Sequence, residues 1–167
     1  MPDFTHPPAT EIPDPDALIA VHAQLDAARA RTPVLEDAEI DEVLRIVPGK
    51  RAVLAGRWRG RRAVFRLVPP TAAEAQAREW REATRIWPQM QGRRYRVPEP
   101  FLHLPEIGLM VVERVPGTPL LTHLWQSRPE TRAAHLPDAA TWLRRYTDVT
   151  ESWHAANPAP LVAHSLS

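Results

Sequence analysis

The chain has 167 residues, with 21 Lys plus Arg against 20 Asp plus Glu. That length fits one domain or slightly more, and the near-zero charge removes the basic excess on which nucleic-acid and membrane-surface binding usually rests. With no cysteine present, disulfide scaffolds, Cys-ligated zinc and thiol catalysis are excluded.

The start, Met1-Pro2-Asp3-Phe4-Thr5-His6, has neither a basic nor an apolar leader-like stretch, and no run approaches the ~20 apolar residues needed to span a bilayer. A soluble, cytoplasmic protein is the expectation. The basic complement is almost entirely arginine, with Lys50 the single lysine. Chemistry that requires a removable proton on an amine therefore has one candidate.

Residues 1–15 carry Pro2, Pro7, Pro8, Pro13 and Pro15 among small and acidic residues and read as a flexible arm. Leu18, Val21, His22, Leu25 and Ala28 then recur at helical spacing, giving one amphipathic helix within 16–36. The set Ile40, Val43, Leu44, Ile46 and Val47 leads into a Pro48-Gly49 turn and reads equally as helix or strand. A hairpin follows, Arg51 to Trp58 and Arg62 to Val68 about a break at Arg59-Gly60-Arg61. In its second strand the period of two puts Arg66 between Val64 and Val68 on one face.

Thr71-Ala72-Ala73-Glu74 has the form of a capping box and predicts a helix from Thr71 to about Trp87. One of its stripes is Ala72, Ala75, Glu79, Ala83, Ile86 and Met90, with Glu79 the lone charge. A loop over 91–100 precedes a second hairpin, Phe101 to Leu104 and Leu109 to Val115, whose nearly all-apolar second strand is expected at the centre of the sheet. A short helix over 120–126 and a long one from Asp138, a plausible N-cap, to about Ala156 complete the order. Trp142, Tyr146, Val149 and Trp153 line one face of the long helix.

Arg66 and Glu79 stand out because each is a single charge in an apolar stripe, on a strand and on the helix that follows it. Either both reach solvent at the edges of their elements, or they are buried, in which case each needs the other.

This order and pairing resemble the small lobe of the kinase-like aminoglycoside and choline phosphotransferases, over about Val43 to Asn157. Val64-Phe65-Arg66 is similar to that family's strand whose basic residue holds the α and β phosphates of ATP, with arginine where lysine is usual. Arg78-Glu79-Trp80 resembles the helix whose glutamate orients that base. Val111-Val112-Glu113-Arg114-Val115-Pro116-Gly117 resembles the segment that frames adenine. The resemblance implies an α+β, protein-kinase-like N-lobe over 37–119, a five-stranded antiparallel sheet with one packed helix. Flanking helices and only the start of a C-lobe would then occupy 120–167.

It further implies ATP as ligand, bound by Arg66, Glu79, Val64, Val112, Glu113 and Val115, with Gly49 and Lys50 at the phosphate-covering loop. That loop has one glycine in place of the Gly-x-Gly-x-x-Gly pattern and reads equally as a plain turn. The activity implied is phosphoryl transfer to a small hydroxyl-bearing acceptor. His164 stands where the family's catalytic loop begins, but no aspartate follows it, so the 167 residues are expected to lack the catalytic base and the ligands for magnesium. On this reading the Trp142, Tyr146, Val149, Trp153 stripe is partly uncovered, and self-association, a partner, or a longer parent chain that supplies the rest of the C-lobe is expected to cover it.

Two other readings compete. Arg57-Trp58-Arg59-Gly60-Arg61-Arg62 is a basic hairpin that could grip nucleic-acid phosphates and stack a base, although a solvated hairpin tip accounts for it as well. The chain could also be a non-catalytic interaction module. His103 and His154 read as structural.

Overall fold

The computed structural model describes residues 15–92 and 94–151. They form an α+β fold, an open five-stranded antiparallel sheet with helices on both faces. The elements in chain order are α1 (Pro15–Arg31), β1 (Ala38–Val47), β2 (Arg51–Trp58), β3 (Arg61–Leu67), α2 (Ala73–Ile86), β4 (Pro100–Leu104), β5 (Leu109–Glu113), α3 (Leu120–Gln126), α4 (Pro129–Arg132) and α5 (Leu136–Thr150). Strand order is β1-β2-β3-β5-β4, so β3, which carries Arg66, lies beside β5. The proposed arm is outside the described residues except for Pro15, which opens α1. Among the described residues no helix is long and apolar enough to cross a membrane.

The ambiguous segment before Gly49 is a strand, and its misleading spacing has a cause. Register shifts between Ile40 and Glu42 and between Val43 and Arg45 leave Asp41 and Leu44 without partners opposite them. Each is a β-bulge residue, so core-facing positions recur at intervals of three, which imitates a helix. Ala38, Ile40, Val43 and Ile46 thereby face the same way as Trp58, Gly56, Leu54 and Ala52 of β2. Leu44, at a bulge, is exposed.

That face is the main core. Val21, Leu25 and Ala28 of α1 pack on Leu54, Phe65, Leu67, Leu109 and Val111, all buried. The Arg29 guanidinium donates to the Ala38 carbonyl and the Trp58 indole donates to the Val34 carbonyl at 2.9 Å, which ties α1 and its following turn to the sheet. The hairpin between β2 and β3 turns on Arg59 and Gly60, both at positive φ, the signature of a type I′ turn.

Three local expectations are corrected. Thr71 does not cap a helix: Pro70–Ala72 form a 3-10 turn, α2 begins at Ala73, and no side chain caps it. Two consecutive prolines ahead of Thr71 force the tighter entry. Asp138 lies inside the first turn of α5, whose N-cap is His135. The strand expected to reach Val115 ends at Glu113. Trp142, Tyr146 and Val149 are half-buried, packed on one side against Ile86, Met90 and Val97 in a second, smaller core. Trp153, the fourth residue of the stripe, is outside the described residues.

Gly56 fixes the register of β1 on β2, since a Cβ there would sit 1.8 Å from the Glu39 carbonyl oxygen. Gly56→Ala is expected to lower stability by about 1–3 kcal/mol or more through forced strand displacement. Leu44→Ala, at an exposed bulge, should change it by less than about 0.5 kcal/mol. Urea denaturation followed by circular dichroism distinguishes this register from one in which Leu44 is buried.

Candidate functional site

Arg66 occupies the centre of the sheet face opposite the main core. Cross-strand pairing aligns Arg45, Val53, Arg66, Met110 and His103 in one row across all five strands. Helix α2 crosses this face, and two of its residues, three positions apart and so on one side of the helix, hold residue 66. Glu79 Oε2 lies 2.7 Å from the Arg66 Nη1. Gln76, buried at 2% exposure, donates from Nε2 to the Arg66 backbone carbonyl at 3.0 Å.

The pair predicted from the two charges therefore forms, but not in a dry interior. The Arg66 side chain is 30% exposed and that of Glu79 is 51% exposed. Residues 75 and 79 lie toward solvent, and it is Gln76 that turns inward. An ion pair so exposed contributes about 0–1 kcal/mol to stability, so its effect is to orient the guanidinium.

Two concavities meet at this pair. One, of about 310 Å³, is lined by Arg66, Glu79, Ala83, Ile86, Met110 and Val112, and closed by Val97, Pro98 and Tyr146. Apart from the carboxylates of Glu79 and Glu82 and the two polar tips of Arg66 and Tyr146, its walls are apolar. The other, of about 450 Å³, brings Arg45, Lys50, Arg51 and Arg66 together with Glu79, Gln76 and Val68. Four cations face one carboxylate there.

The remaining sequence-predicted residues divide. Val112 joins Arg66 and Glu79 in the apolar concavity, and Lys50 joins them in the basic one. Val64 lies opposite Val112 in the sheet. Near it, the Arg114 Nη2, just past the end of β5, reaches across β3 and β2 to Glu42 on β1 at 2.8 Å. Gly49 lies on the α1 side, lining a recess with Val21 and Gln24. Val115 lines a further recess with Tyr95, Arg96, Asp138 and Trp142. His164 is outside the described residues.

Glu113 has a role that sequence reasoning missed. Its carboxylate accepts both Arg96 guanidinium nitrogens at 2.8 Å and the Glu99 amide at 3.3 Å. Burial pushes this carboxyl up, but the Arg96 fork, the Glu99 amide and the nearby Arg61 charge outweigh it and hold the group below its ordinary value of 4.5. The Glu113 amide in turn donates to the Glu99 carbonyl and that of Arg114 to the Arg62 carbonyl, so the strand stays paired to its end.

Arg45, Arg51, Gln76 and Tyr146 were likewise missed. Alternation along β1 and β2 could have placed the two arginines had the bulges been visible; nothing in the sequence marks Gln76 as the inward residue.

The basic hairpin lacks the stacking surface expected of it. Trp58 is buried at 8% exposure, with its indole bonded to Val34, so its ring cannot receive a base. Arg59 sits 4.6 Å over that ring, while Arg61 lies 4.3 Å over Phe101 and bonds Glu99 at 2.6 Å. The Trp58 ring belongs inside because it completes the α1 core. His103 stacks on Trp80 at 5.4 Å, and burial, partly offset by the charge of Glu106, lowers its pKa, consistent with a structural residue.

Comparison with family models, with curated proteins and with solved structures returns no match.

Because the folded pKa of Glu113 is depressed, the Arg96 pair adds stability at neutral pH. That contribution is lost as pH falls from about 4.5 through the lower folded value. Glu113→Gln is expected to destabilise the protein at pH 7 and to flatten the acid limb of its stability curve. Urea midpoints measured between pH 7 and pH 3 test this, and parallel curves for both proteins would contradict it.

Proposed function

We propose that this chain is the ATP-binding lobe of a kinase-like small-molecule phosphotransferase, of the kind its sequence resembles. The observation that carries the reading is the junction at Arg66, where an ion pair from strand and helix separates an apolar slot from a basic recess. A nucleotide has the same two-part chemistry, a flat apolar base and a polyanionic tail.

In this proposal the base enters between Met110, Val112 and Ile86, where aliphatic walls exclude water from its faces. The triphosphate lies toward Arg45, Lys50 and Arg51, and Arg66 bridges the two ends. Arginine suits that post because its guanidinium stays charged and presents paired donors to phosphate oxygens. Glu79 fixes the direction of those donors without neutralising the recess, which keeps an excess of positive charge.

The reaction assigned to the protein that carries this lobe is transfer of the γ-phosphoryl group to a hydroxyl of a small molecule. Magnesium would supply charge neutralisation in such chemistry, and among the described residues no group of three or more His, Asp or Glu could hold it. The groups assigned here act on the phosphates directly, so binding is best measured without it. An interaction module without nucleotide affinity is the competing reading.

ATP at ten times its Kd should raise the melting temperature by about 3–6 °C for a chain of this size. Arg66→Ala should abolish the shift, and Arg66→Lys should retain most of it. Glu79→Gln should weaken ATP binding by more than its effect on stability, which is limited to about 1 kcal/mol. Scanning fluorimetry and calorimetric titration read these quantities. Absence of any ATP-dependent shift in the unmodified protein would favour the interaction module.

A further inference from the structure

We infer that His123 and His135 form a binding site for a divalent transition metal of the copper(II) or nickel(II) class. The two residues come from different elements, the last turn of α3 and the 3-10 turn that precedes α5, and their Nε2 atoms lie 2.9 Å apart. Both rings are half-buried, so an ion can reach them from solvent.

The contact is a hydrogen bond between the ring nitrogens in one tautomer, but the rings are not coaxial about it. A head-on N–H···N contact keeps the two ring axes in line and would separate the ring centres by about 5 Å. The centres are 4.3 Å apart and the planes meet at 71°. The contact is therefore bent at one or both nitrogens.

The same separation fits two ligands on one ion. With metal–nitrogen bonds of about 2.0–2.1 Å, ligands at a right angle stand about 2.9 Å apart, whereas tetrahedral ligands spread to about 3.4 Å. The observed value matches the right angle, the preference of tetragonal copper(II) and nickel(II) over tetrahedral zinc.

The backbone around both rings is pinned. The His123 amide donates to the Pro119 carbonyl at 2.9 Å, and its own carbonyl accepts the Ser127 amide at 3.0 Å and hydroxyl at 2.7 Å. The Arg132 Nε donates to the Ser127 carbonyl at 3.2 Å, which ties the end of α3 to the turn bearing His135. Asp138 lies near enough for His135 to influence its carboxyl, and Arg94 and Tyr95 each bond it at 2.6 Å. Among the described residues no group of three or more His, Asp or Glu could hold a metal. The ion's other positions therefore belong to water, and the site acts as a clip between α3 and α5.

The test is one equivalent of copper(II) added to the full chain, followed by electron paramagnetic resonance and calorimetry. Hyperfine splitting from two imidazole nitrogens, with copper(II) and nickel(II) bound more tightly than zinc(II), is expected. His123→Gln and His135→Gln should each weaken binding by at least the roughly tenfold that loss of even an outer-shell partner costs. His103→Gln should leave it unchanged. The splitting in the unmodified protein stands even if a variant fails to fold, which circular dichroism would reveal. A spectrum without two-nitrogen splitting, or affinity unchanged in both folded variants, would overturn the assignment and leave two imidazoles in plain contact.

Discussion

The grip of α2 on residue 66 is the constraint from which the cleft side of the molecule follows. One residue, Gln76, binds the backbone of Arg66 from a buried position, and another, Glu79, binds its guanidinium from a half-exposed one. These contacts differ in kind. A buried amide bonded to a backbone carbonyl sets the height of the helix over the strand, because leaving the buried Gln76 Nε2 unpaired would cost about 1–3 kcal/mol. An ion pair open to water contributes little to stability and mainly selects a rotamer. The helix is thus anchored by a neutral hydrogen bond, and the charge on the strand remains available at the rim of two concavities.

Around that anchor the molecule divides its apolar residues between two cores. The larger lies between α1 and one face of the sheet, where alternation in β2 and β3 delivers Leu54, Ala63, Phe65 and Leu67. The smaller lies beyond the end of α2, where Ile86, Met90 and Val97 receive the aromatic stripe of α5. The Trp142 indole donates to the Arg96 carbonyl at 3.1 Å, and the Arg96 side chain binds Glu113 at the end of β5. Helix α5 is thus linked through one residue to the end of β5. Tyr146, the neighbour of Trp142 on the same stripe, is brought over the apolar concavity as a result.

The charge distribution follows the same division. On the hairpin the arginines are largely committed, Arg59 to the Trp58 ring and Arg61 to Phe101 and Glu99. In the recess between β1, β2 and α2, four cations converge against a single carboxylate. A chain whose net charge is near zero thereby presents a local positive surplus at one place, and a focused field of that kind attracts a polyanion more effectively than a dispersed one.

Element type and order were legible along most of the chain, because alternation and helical spacing are local properties of the residues. The hairpin of β2 and β3, the place of β5 inside the sheet, helix α2 and the pairing of Arg66 with Glu79 could all be read in this way. What could not be read were the features that depend on residues distant in the chain. The two bulges of β1 and the close approach of Glu39 to Gly56 belong to the pairing of β1 with β2 and are visible only there. The exposure of Glu79 and the inward turn of Gln76 follow from how α2 packs on the sheet. The packing of the α5 stripe, the bond between Arg96 and Glu113 and the meeting of His123 with His135 all join segments separated by loops. Periodicity determines which face of an element is apolar, but only the packed chain decides what that face meets.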